Sequence, residues 1–195
     1  VHPGFKDHQY LVHYLMTEPV EETLKLFSQL GASTRALGRF YGPRTILAAT
    51  HNNFIKGYVS PRIDISPDAL PWRPHTGVFV VMKDISGRRQ EIAQWHDRVH
   101  IPDVLNVRGV MGCYWFQSRG DAHASAGDIG NPPNRQTFLY YLDEDPLEVM
   151  EELRAKAQEW SAAGRLLDTD GASELILAGP YETIADPRSY DWNER

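Results

Sequence analysis

From Thr76 onward, apolar runs and amphipathic stretches follow an order that few folds accommodate: strand, helix, strand, strand, helix, strand. Gly77–Lys83 (GVFVVMK) is a continuous apolar run between Pro74 and Ser86, the pattern of a buried strand. Ser86 is placed to cap a helix in which Ile92, Trp95, His96 and Val99 share one face, and Pro102 bends or restarts it. Val110–Gln117 (VMGCYWFQ) reads as a second strand. Simple alternation sends Val110, Gly112, Tyr114 and Phe116 to one side and Met111, Cys113 and Trp115 to the other. Arg119 to Arg135 is rich in Gly, Asp, Pro and Asn and reads as a long loop. Thr137–Leu142 (TFLYYL) follows as a strand, and Asp145–Pro146 opens a helix with Leu147, Met150, Leu153, Ala157, Trp160 and Gly164 as its stripe. Glu174–Ala178 (ELILA) completes the series before Gly179–Pro180. The order predicts an α+β, ferredoxin-like βαββαβ unit, with an antiparallel sheet and both helices on one face.

The first 75 residues echo this plan in part. Tyr10–Met16 is expected as a strand, Val20–Leu37 as a helix with Leu24, Phe27 and Leu30 inward, Thr45–Thr50 as a strand, and Phe54–Val59 as one more. Pro61, Pro67, Pro71 and Pro74 mark an extended connector. Two parts are predicted: residues 1–75 as an incomplete ferredoxin-like half-repeat plus connector, and residues 76–195 as the complete domain.

Composition removes several function classes. A net charge of −6 and the lack of any basic run argue against nucleic acid and anionic membranes as partners. The longest apolar stretch, Gly77–Met82, is far too short to span a bilayer. With Cys113 as the single cysteine, an internal disulfide and a Cys-rich metal site are both excluded, and a small buried hydrophobe in a strand is the expected role. A reducing cytoplasm fits, and the first residues carry no signal-peptide pattern.

The chemistry concentrates in QWHDRVHIPDVLNVRGV, Gln94 to Val110. On an α-helix the four-residue spacing sets His96 and His100 about 40° apart on one face. His-x-x-x-His is also the spacing of a zinc helix, with Asp97 where that motif has Glu; a third ligand would then come from His13, His51, His75 or His123. The shorter Asp97 and the nearby Pro102 argue against it, so no metal or other cofactor is expected. The alternative is acid/base work, since imidazole titrates near neutrality. Asp97 itself is expected to face solvent or to pair with Arg98 or Arg89.

That stretch resembles the EthD-like branch of the dimeric α+β barrel superfamily, whose helix has the form W-x-(D/N)-x-x-H-(I/L/V)-P. The matching residues are Trp95, Asp97, His100, Ile101, Pro102, Val104, Leu105, Gly109 and Val110, with Tyr114–Trp115 in the following strand. The likeness covers roughly Thr76 to Thr183; His96 departs from it, because Tyr or another bulky residue is expected there. The resemblance implies two ferredoxin-like sheets packed as a barrel, closed within one chain or by a homodimer, with a cavity between each sheet and its helices. Members include cofactor-free isomerases, polyketide cyclases, lyases, and haem-degrading and quinol-forming monooxygenases, so fold alone does not settle function.

Set in that architecture, the expected function is a cofactor-independent lyase or isomerase, cyclase or dehydratase included. Its substrate would be a small aromatic or polyketide-like carbonyl compound, with His96 or His100 as base and Tyr114 as donor to the developing oxyanion. Trp95, Phe116 and Tyr141 are expected to line the substrate site, with Trp72 of the connector and His13 of the first strand as further candidates. The alternatives are a non-catalytic small-molecule-binding or accessory protein, and a haem- or metal-dependent monooxygenase of the same fold.

Overall fold

The computed structural model describes residues 10–16, 18–39, 50–120 and 130–184. It is an α+β protein. The strands are β1 (Asn52–Val59), β2 (Gly77–Ile85), β3 (Val110–Ser118), β4 (Arg135–Leu142) and β5 (Ser173–Glu182). They form a single sheet in the order β1-β3-β4-β2-β5, each antiparallel to its neighbours. The helices are α1 (Val20–Ala36), α2 (Arg89–Trp95), α3 (Ile101–Leu105) and α4 (Pro146–Ala162). From β2 to β5 the expected order of strands and helices is the order found. β1 comes from the other side of the expected division at residue 75, yet it extends this same sheet along the edge of β3.

Two apolar layers sandwich the sheet. On one face Ile101, Val104 and Leu105 of α3 and Val149 of α4 pack on Cys113, Trp115, Phe138, Tyr140 and Leu142, with Leu153 and Trp160 at the margin. On the other, Leu70 packs with Val80, Met82, Met111, Tyr114, Phe116, Leu139, Tyr141 and Leu177. Leu70 belongs to a 3₁₀ turn, Pro67–Trp72, inside the proline-rich connector, and Ser66 caps that turn by accepting from the Asp68 amide. Central β4 is consequently buried along its whole length. The connector thus covers a face that a barrel would close with a second sheet.

Several local expectations change. Residues 10–16 form no strand; Leu11 is half-buried against the connector-side core. α1 exists, but none of its residues is buried, and Phe27 and Leu30 are exposed rather than inward. Ser86 does not cap α2: Arg88 takes that position with φ 48°, while the Ser86 hydroxyl donates to the Gly171 carbonyl. Alternation along β3 fails at its start. A register shift between Val110 and Gly112 puts Val110 with Cys113 and Trp115, and Met111 with Tyr114 and Phe116. In α4 the inward stripe runs through Pro146, Val149, Leu153 and Trp160, leaving Leu147 exposed. Gly109, at φ 82°, lets the chain enter β3 against α4, where a Cβ would lie 2.4 Å from the Val149 side chain. Residues 45–49 of the expected strand Thr45–Thr50, and most of the loop after Arg119, lie outside the described residues. Among the described residues no helix is long and apolar enough to cross a membrane.

Candidate functional site

The segment that carries both histidines is a single turn of π-helix, His96–His100, between α2 and α3. Pro102 supplies the cause. It has no N–H to continue an α-helical ladder, and its ring would press on the carbonyl four residues earlier, that of Arg98. Widening the turn relieves both conflicts, and the Ile101 amide bonds the His96 carbonyl five residues back. Residues five apart are then brought to the same side. Trp95 and His100 stack accordingly, their ring centroids 4.6 Å apart at 20°. The signal for this geometry was present as Pro102, but α-helical spacing alone does not bring Trp95 onto His100.

The turn faces the sheet. His96 is 1% exposed and stacks on Phe138 of β4 at 4.6 Å; its ring lies 6.3 Å from that of Trp115 on β3 and 5.6 Å from that of His100. Trp160 of α4 closes on His100 edge to face. The Trp95 indole donates to the Arg165 carbonyl, and Arg165 forks onto Asp103, fixing α3 against the end of α4. Into this aromatic enclosure β2 sends Lys83, half-buried, with Nζ 5.9 Å from the centre of the Trp95 ring.

Hydrogen-bond accounting sets this face apart. His96 Nδ1 is 2.9 Å from the Ile92 carbonyl, and since a carbonyl only accepts, Nδ1 carries the proton. Nε2 is then a bare lone pair, buried and without a partner. His100 Nδ1, Trp115 Nε1 and Gln136 Oε1 are likewise buried and unpartnered. Burial, reinforced by the Lys83 charge and by His100, pushes the His96 imidazole down to about 2. Burial, again with Lys83 acting in the same sense, pushes His100 down to about 3. Both rings are therefore neutral at pH 7. Desolvation also lowers Lys83, to about 8.

Asp97, on the same turn, points to the sheet edge. Lys56 and Tyr58 of β1 both donate to its Oδ1, at 2.5 and 2.7 Å, and the two bonds, Lys56 first, lower its pKa. It pairs with β1, not with Arg98 or Arg89.

The other expected site residues are elsewhere. Tyr114, Phe116 and Tyr141 are buried on the connector face, across the sheet from the histidines. The Tyr114 hydroxyl donates to the Pro67 carbonyl at 2.8 Å. The expected pairing of His96 or His100 with Tyr114 in one space is therefore not found. His13 lies edge-on to Phe116 and His75 edge-on to Tyr141, both on that far side. Trp72 is 73% exposed. The structure brings together Trp95, His96 and His100, and adds Lys83, Trp115, Phe138 and Trp160. Trp115 was assignable to the opposite side from Tyr114 by alternation; Lys83 had only its place at the end of an apolar strand to draw notice.

Two imidazoles are two metal ligands. Among the described residues no group of three His, Cys, Asp or Glu side chains is arranged to hold a metal ion, and His123 lies outside them. Cys113 is fully enclosed under the helices, and burial raises its thiol pKa, the state of an inert core cysteine. Comparison of the chain with protein-family models, with curated proteins and with solved structures gives no match.

Proposed function

We propose that the chain is a cofactor-independent lyase or isomerase that moves a proton beside the carbonyl of a small aromatic or apolar compound. The work would be done between the π-turn and the sheet. The observation that supports this most directly is the unpartnered, buried lone pair of His96 Nε2. A free ring pushed down to about 2 is a weak base in the empty protein. Its low value comes chiefly from burial, which penalises an isolated charge. When the proton comes from a substrate that becomes an enolate, the imidazolium gains an adjacent anion, and that penalty shrinks. The Trp115 indole N–H, buried without an acceptor, is a donor available to the developing oxyanion, the role expected of Tyr114. Trp95, Phe138 and Trp160 give flat faces for an aromatic substrate.

The strand order of β2 to β5 is compatible with the ferredoxin-like unit, and the Trp95–Val110 segment with the EthD-like resemblance; both belong to this proposal. So does a homodimer, which would give α1 a cover for exposed Leu26, Phe27 and Leu30; sedimentation equilibrium tests it. A binding-only role is the second possibility, favoured by the depressed basicity of both rings. Deuterium exchange decides between them. In D₂O the protein should catalyse label uptake at the α-carbon of phenylacetone, and His96→Gln should abolish it. Saturable binding without exchange would leave only the binding role.

A further inference from the structure

We propose that Lys83 is an amine nucleophile that forms an imine with the carbonyl of the substrate, which makes aldehydes and ketones, rather than esters or acids, the substrate class of this site. The inference rests on the assignment of His96 as base above and puts an enamine in place of the enolate, so that no oxyanion donor is required of Trp115. Its basis is position. Lys83 lies on β2, next to central β4, opposite Gln136 in the register. Its side chain leaves the sheet on the helix side, as shown by Nζ at 5.9 Å from the Trp95 ring. Trp95 in turn touches both imidazoles, at 4.8 Å for His96 and 4.6 Å for His100. Among the described residues no carboxylate pairs with Lys83 and no acceptor holds its ammonium group.

Other lysines of this chain are held differently. Lys56 is tied to Asp97 and Lys156 to Glu159, and the bond to Glu159 raises the Lys156 pKa. For Lys83, burial draws the amine down to about 8, so that roughly one molecule in ten carries a free amine at neutral pH. Lys83 has no ion-pair or hydrogen-bond partner among the described residues; the contact recorded for its charge is the distant one to the Trp95 ring.

The chemistry balances without a co-reactant. The Nζ lone pair adds to the carbonyl carbon, the carbonyl oxygen takes up a proton, and the amine nitrogen gives one up, forming a carbinolamine. Loss of water from it leaves the imine. Protonated, the imine draws electrons from the neighbouring C–H bond, and the proton released passes to His96 Nε2. His96 returns a proton to the enamine carbon, and water then adds to the iminium carbon, which expels the amine, restores the carbonyl and frees the product.

The test is reductive trapping. The protein is incubated at pH 7 with benzaldehyde and sodium cyanoborohydride, and peptides are mapped by mass spectrometry. Lys83 should carry the benzyl group at least about ten times more often than Lys156, whose bond to Glu159 raises its pKa, and more often than any other lysine. Lys83→Arg, which keeps the positive charge, should lose that label and retain its circular dichroism. Labelling of Lys83 no greater than that of the other lysines overturns the inference. Phenylacetone exchange separates the two proposals: exchange that persists in Lys83→Arg overturns the imine and leaves the imidazole base standing. Trapping at Lys83 without any exchange upholds the amine and overturns the base.

Discussion

The two faces of one sheet are built to different rules. On the connector face, Tyr114 is surrounded edge-on by Phe54, Phe116 and Tyr141, and its hydroxyl is taken up by the Pro67 carbonyl. Among the described residues two orphaned buried polar atoms fall with this face: Thr137 Oγ1 and, opposite Ser118 in the register, Asn52 Oδ1. On the helix face four such atoms stand in one layer: His96 Nε2, His100 Nδ1, Trp115 Nε1 and Gln136 Oε1. Leaving a buried polar group unsatisfied costs about 1–3 kcal/mol, and folding gains nothing from it. A face that closes itself is a core. One that keeps donors and acceptors dry and unmatched is the feature on which the proposed catalytic role rests.

The largest expected effect follows from that contrast. Replacing His96 by Gln keeps a polar group of similar reach but removes the base, and α-proton exchange should fall by about 10²–10⁴-fold. Tyr114→Phe, across the sheet, should leave the rate within about twofold, because its hydroxyl has no access to the helix side. Equal losses from the two substitutions would break the comparison, since chemistry would then depend on both faces.

Next comes the connector as a roof. Leu70 is fully buried, and a Cβ on Gly112 would sit 2.5 Å from it, so the two surfaces are in close contact. Leu70→Ala should cost about 2–5 kcal/mol in urea unfolding. A change below about 1 kcal/mol would mean that the connector drapes over the sheet without supporting it.

The acid branch of the stability curve tests the helix face separately. Both imidazoles have folded values below the 6.5 of the free group, lowered first by burial. The unfolded chain therefore binds more protons than the folded one below pH 6.5. Stability should be intact above that pH and decline as pH falls toward about 3 and 2, the folded values of His100 and His96. His96→Gln should flatten this decline between pH 6.5 and 4. An unchanged slope would show that other groups set the acid response.

Much of this was legible in the residues, and the gaps have physical causes. Continuous apolar runs announced β2 and β3, and the paired spacing of His96 and His100 pointed to the candidate site. Which face each side chain takes was less accessible. Period-two counting breaks where one residue is added, and the irregularity at Met111 exchanges the places of Val110 and Met111. Tyr114 was correctly grouped with Phe116, but nothing local says which side of a doubly buried strand the helices will cover. α1 misled for a related reason: its apolar residues recur at helical spacing, yet nothing in the described part of the chain buries them. Lys83 escaped notice because a lysine closing a strand ordinarily lies in water, and only the tertiary fold brings Trp95 over it.

The smallest expected effect probes the connector face through a single bond. Tyr114→Phe removes a hydroxyl whose acceptor, the Pro67 carbonyl, starts the 3₁₀ turn holding Leu70. The ring keeps its edge-on contacts, so the loss should be limited to one hydrogen bond, about 0.5–1.5 kcal/mol in urea unfolding. Thermal melts should show the connector loosening without loss of the helix-side aromatic signal. A cost well above that range would mean that Tyr114 organises the whole connector rather than pinning one carbonyl. The two faces would then differ in how many residues share the work of closure, not only in whether their polar atoms are matched.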